Sequence, residues 1–133
     1  MRRLRRLPAF SASWDEGRYF DAWMIVHFLS GAAGGFSNVI FHLSTRGVYA
    51  LGIALLIVWE LLEWISGVRE SAENRLIDIV VGTIGITVAL WVAALVGTTL
   101  EWAAFGLTTA GVAVGNVLGW IAYRRRMREN TAR

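Results

Sequence analysis

The chain has 133 residues, 56% of them hydrophobic, with one proline, no cysteine and a formal net charge of +3. Its apolar residues fall in four long blocks rather than amphipathic stripes, which reads as an all-α integral membrane protein with no length left for a separate soluble domain. Lack of cysteine excludes disulfides, iron–sulfur clusters, thiolate zinc sites and covalently attached haem. No nucleotide loop, GxSxG elbow or Ser–His–Asp arrangement supports soluble-type nucleotide or hydrolase chemistry.

Residues 1–20 open with "MRRLRRLPAFSASW", whose positive start resembles a secretory signal. Pro8, Ser11 and Ser13 interrupt it and no apolar core follows, so it is expected to be a basic interfacial arm. Four membrane spans follow, at about 21–41, 48–66, 76–96 and 102–123, each near the ~20 residues needed to cross a ~30 Å hydrocarbon core. A basic tail, 124–133, ends the chain. Short connections make consecutive helices antiparallel neighbours in one bundle.

All 13 basic residues are arginine, and only Arg46 falls in a loop on the far side of these spans. That bias predicts both termini and the second loop to be cytoplasmic. The runs "RRLRR" and "YRRRMR" are expected on anionic lipid headgroups, at about 1 kcal/mol per basic residue near the surface. The positive charge therefore implies no nucleic-acid partner.

Small residues at helical spacing mark faces where backbones approach closely inside lipid. They are Gly31, Gly34 and Gly35 in the first span, Gly82 and Gly85 in the third, and Gly111, Gly115 and Gly119 in the fourth. His27 shares a helical face with Ser30, Gly31, Gly34 and Asn38, and Asp78 shares one with Gly82 and Gly85, so both point into the bundle. Glu60 and Glu63, in "WELLEWISG", are about 60° apart around the second span. Counting from the cytoplasmic ends, His27 and Glu60 are level at roughly 9 Å. Asp21, Arg75 and Asp78 stand at the same mouth.

An ionisable group at the bilayer centre costs roughly 2.5–3.5 kcal/mol by insertion scales, less toward the interface, and is a functional candidate by default. Asp21, Glu60, Glu63 and Asp78 against Arg75 and one histidine make an acid-rich cluster. Either a proton is shared among the carboxylates or a cation binds. The set could hold a divalent metal or run acid–base chemistry on a headgroup, although neither HExxH nor ExxH is present. It could equally be an internal salt-bridge cluster that only fixes register. A haem or chlorin macrocycle on His27 is a further alternative, since Gly31 leaves space beside it; His42 is roughly 22 Å away and cannot share the iron. Trp59 and Trp91 lie deeper than the interfacial tryptophans and are expected to face lipid or a partner.

The motifs "HFLSG" (His27 to Gly31), "ELLE" (Glu60 to Glu63) and "RLIDIVVGTIG" (Arg75 to Gly85) resemble the VanZ-like family of small polytopic membrane proteins. The resemblance covers about 60 residues. It implies a bundle of four or five helices in a bacterial plasma (inner) membrane and brings no settled reaction. From the cluster itself, His27, Glu60, Glu63 and Asp78 are the candidate catalytic residues, and Arg75, Asp21 and Asn38 the candidate substrate contacts. Three functions are expected as alternatives. One is binding or modifying an amphiphilic or lipid-linked substrate. Another is an accessory subunit, with a homo-oligomer or a membrane complex as partner. The last is proton-coupled transport.

Overall fold

The computed structural model describes Ala9, Ser11, Trp14, Val68 and residues 19–66 and 71–131, with no side-chain description for 126, 127 and 129–131. Most of the expected N-terminal arm, with Arg2, Arg3, Arg5, Arg6 and Arg18, lies outside the described residues, as do Arg69 and Arg133. The described chain is helical: α1 (Trp23–Phe36), α2 (Asn38–Phe41), α3 (Thr45–Ile65), α4 (Ala72–Leu95) and α5 (Thr98–Thr131). Four segments are long and apolar enough to cross a membrane: Trp23–Phe41, Thr45–Ile65, Ala72–Leu95 and Thr98–Arg125.

Local chemistry sets the boundaries and moves them from the hydropathy expectation. Ser44 Oγ accepts from Gly47 N, and Ser71 Oγ accepts from Asn74 N, so each serine caps the helix that follows it. Side-chain caps of this kind satisfy donors that no turn can reach. α3 therefore begins at Thr45 rather than 48, and α4 at Ala72 rather than 76. The first span is not one uninterrupted helix. At Ser37 the hydroxyl donates to Gly34 O and Ile40 N bonds back only three residues, to Ser37 O, so the helix tightens and restarts as α2. His42, at φ 48°, stops it in the left-handed region. At the other end, α5 does not break at 124 but runs on through Arg124 and Arg125, extending about 51 Å in all.

α1 is the centre of the bundle, and three of its faces have different neighbours. Its glycine face meets α4: a Cβ on Gly31 would strike the Gly82 carbonyl, one on Gly35 would lie 2.6 Å from Ala89 Cβ, and one on Gly85 would strike Phe28 O. A second face inserts Trp23, Val26 and Leu29 over Gly119, Gly115 and Gly111, the doubled GxxxG of α5. Leu56 of α3 fills the space over Gly82, and Ile86 sits fully buried beside Gly52. Gly34 is the exception. A Cβ there would meet nothing within 4 Å, so this glycine borders open space rather than a helix contact.

Several polar side chains on the spans bond within the bundle, as hydrocarbon surroundings require. Thr83, Thr87 and Thr108 donate to carbonyls one turn back, Asn116 Nδ2 donates to Val112 O, and Tyr49 OH donates to Thr87 Oγ1 at 2.9 Å. The outer faces are broadly apolar, with Leu55, Leu62, Trp91, Leu95 and Leu107 all exposed. Trp59, at the edge of α3, is also exposed.

The two glycines of α1 separate packing from open space. Gly31→Ala should force α1 and α4 apart and destabilise the bundle by at least about 1–3 kcal/mol, the usual range for overpacking. Gly34→Ala should be neutral or slightly stabilising. Thermal unfolding of both variants in one detergent checks the contrast; equal melting temperatures would contradict the close contact.

Candidate functional site

His27 lies on the second turn of α1, Glu60 near the end of α3 and Asp78 on the second turn of α4. The structure brings these three together at one end of the bundle. His27 Nδ1 is 3.7 Å from Glu60 Oε1, and His27 Nε2 is 3.8 Å from Asp78 Oδ2. One donor atom from each residue falls within 4.8 Å of the others. All three are buried: His27 and Glu60 are 5% exposed and Asp78 is 1% exposed.

Asn74 organises the carboxylates beneath the histidine. Its side chain is fully buried, and Nδ2 lies 3.1 Å from Asp78 Oδ2 and 3.3 Å from Asp21 Oδ2. Asp21 in turn accepts from Trp23 N at 2.9 Å, which secures the start of α1. An amide can donate in two directions but carries no charge. It can therefore hold two carboxylates in place without neutralising either. Sequence reasoning missed Asn74, because a helix start at 76 left it in a loop. The signal was Ser71 three residues earlier, a capping pair, and Asp78 four residues later on the same face.

Of the remaining expected site residues, Glu63 and Arg75 adjoin the cluster in sequence and Asn38 lies away from it. Glu63 is one turn from Glu60 and half-buried, outside the three-residue cluster. Arg75 is also half-buried, in the first turn of α4 beside Asn74. Asn38 is not at the site: its Oδ1 accepts from Leu43 N at 2.7 Å and shapes the turn after α2, roughly 16 Å along the span from His27. Depth along the span is what separates it from His27, since Asn38 lines a small cavity together with Gly34 of the same face. On its α4 side Gly31 meets the Gly82 backbone, so a macrocycle on His27 would find no room in that direction.

His27 also borders a cavity of about 440 Å³. Its floor is α1, through Ser30, Gly31 and Gly34; its walls come from α3, through Leu55, Trp59 and others, and from α5, through Val112 and Asn116. α3 wall residues Leu55, Val58, Trp59 and Leu62 are also exposed on the outside of the bundle. The cavity is thus an apolar crevice, with polar groups at His27, Ser30 and Asn116.

Comparison with protein-family models, curated proteins and solved structures finds no match. The likeness to VanZ-like proteins has no support from them. Fold and site together define a class: a multi-pass helical membrane protein with an imidazole between two buried carboxylates, beside an apolar crevice.

Asn74→Ala should remove the donor that two buried carboxylates share and cost about 1–3 kcal/mol, the usual penalty for stranding buried polar groups. Asn38→Ala, which loses one exposed turn contact, should cost less than about 1 kcal/mol. Thermal unfolding of the two variants side by side measures the difference.

Proposed function

We propose that this protein takes an amphiphilic, lipid-like molecule from the bilayer into the crevice between α3 and α5, with its polar end at His27, Glu60 and Asp78. One observation carries the reading: His27 both lines the crevice and stands between the two buried carboxylates. A volume of about 440 Å³ is in the range of small-ligand sites, which combine apolar walls with a few placed polar groups. Lateral access suits a ligand that is already dissolved in the membrane. The imidazole and carboxylates supply acid–base or ion-binding capacity at the polar end.

The reading places the site in the cytoplasmic leaflet of a bacterial plasma membrane. Support comes from the arginine distribution, with Arg46 alone in the loop far from the site and Arg124, Arg125 and Arg128 exposed near the end of α5. Arg124 lies over the Trp120 ring at 4.3 Å, an arrangement suited to a headgroup boundary.

Gly34→Leu tests the crevice, because the added side chain enters open space instead of backbone. Native mass spectrometry of protein extracted in mild detergent should show an amphiphile bound to the wild type and lost from Gly34→Leu, with the folded variant equally abundant. Equal retention by both would reject the reading. Sidedness is testable because the chain has no native cysteine. Introduced singly in intact cells, Arg46→Cys should react with an impermeant thiol reagent and Arg128→Cys should not; the opposite pattern would invert the topology.

A further inference from the structure

We infer that His27, Glu60 and Asp78 bind one divalent transition-metal ion, of the zinc or manganese kind. The inference deepens the proposed function and rests on the same site, though metal binding can be measured apart from any lipid.

The donor set comes first. One imidazole nitrogen and two carboxylate oxygens suit borderline divalent ions, since imidazole favours zinc, iron and nickel while carboxylates extend the choice to manganese. Three protein ligands with a remaining position toward a cavity is the arrangement of an open, ligand-accepting ion rather than a closed structural one. The crevice borders His27, so the open position would face the proposed ligand.

Spacing comes second. Atoms bound to one tetrahedral ion at 2.0–2.2 Å are roughly 3.4 Å apart. The two imidazole–carboxylate separations, 3.7 and 3.8 Å, start from opposite ring nitrogens, of which one ion can take only one; with a single nitrogen used, a donor from each residue lies within 4.8 Å of the other two. Direct charge-assisted hydrogen bonds would be about 2.7–2.9 Å. The donors of such a set therefore stand up to about 1.4 Å further apart than a tetrahedral ion needs, and neither carboxylate contact of His27 is at hydrogen-bonding distance. Closing on an ion asks each to move by less than about 1 Å.

Charge and support come third. Glu60 and Asp78, buried at 5% and 1% exposure, each offer an anionic oxygen to a divalent cation. Asp78 is also held from behind by Asn74, and hydrogen bonds to ligating carboxylates from outside the coordination sphere are a regular feature of metal sites.

The test uses the full chain in detergent, stripped with EDTA, reloaded separately with Zn²⁺ and Co²⁺, desalted, and assayed by elemental mass spectrometry and visible absorption. The wild type should retain about one ion per chain, and Co²⁺ should give the intense visible bands of a low-coordinate site. His27→Ala and Glu60→Gln should each lower retention at least tenfold, Asn74→Ala should weaken affinity about 10–100-fold, and His42→Ala should change nothing. Retention by the wild type below a tenth of an equivalent, or undiminished retention by His27→Ala, would overturn the inference. Should the His27 or Glu60 variants fail to fold, the wild-type Co²⁺ spectrum decides alone: weak, aqua-like bands reject the site. Metal without bound amphiphile would end the reading of the crevice and keep the ion; bound amphiphile without metal would do the reverse.

Discussion

The close approach of α1 and α4 at Gly31 and Gly82 is the contact on which the rest depends. These helices run parallel, as their matched positions show: Asp21 beside Asn74, His27 beside Asp78, Gly31 against Gly82 and Gly35 against Ile86 and Ala89. His27 is one turn before Gly31 and Asp78 one turn before Gly82, so the glycine contact sets the distance between the imidazole and the carboxylate. In hydrocarbon no hydrophobic force draws helices together, and association relies on van der Waals contact between small residues. A methyl group at the glycine contact would separate the helices and with them the two halves of the site. Packing and chemistry are therefore one feature here.

α3 completes the cluster from the opposite direction. It runs antiparallel to α4, with Gly52 over Ile86, Leu56 over Gly82 and Glu60 beside His27. Burying Glu60 and Asp78 beside each other is expensive, and a buried carboxylate must be matched by protons, hydrogen bonds or cations. Asn74 supplies hydrogen bonds to Asp78 and Asp21 at no cost in charge. Apolar residues at these positions would pack the end of a bundle with no such cost.

Much of this was legible from residue spacing. Gly31, Gly35, Gly82, Gly85 and the doubled GxxxG of α5 announce close contacts, and the same helical faces carry His27 and Asp78. Level depth for His27 and Glu60 followed from counting residues inward from the helix ends. Three features were not legible in the same way. Asn74 depended on a cap that hydropathy does not register, because the first turn of α4 is polar. Asn38 shares a helical face with His27 but lies roughly 16 Å further along the span, where its side chain is taken up by the turn at Leu43. Gly34 carries the same signal as Gly31, yet no sequence pattern tells a glycine that receives a neighbour from one that borders a void.

That void follows from how α1 divides its circumference. Gly31 and Gly35 go to α4; Trp23, Val26 and Leu29 go to α5. The stripe between them, His27, Ser30 and Gly34, lies along the crevice. α3 packs on the α4 side, leaving α5 attached through α1 and the gap between α3 and α5 unfilled by side chains. His27 stands at the seam of two of these faces, where one ring edge can meet the carboxylates of α3 and α4 while the residue still borders the crevice. Moving the histidine by one position would turn it about 100° around the helix, away from that seam. Its place in the first span thus ties the apolar crevice to the cluster of buried donors.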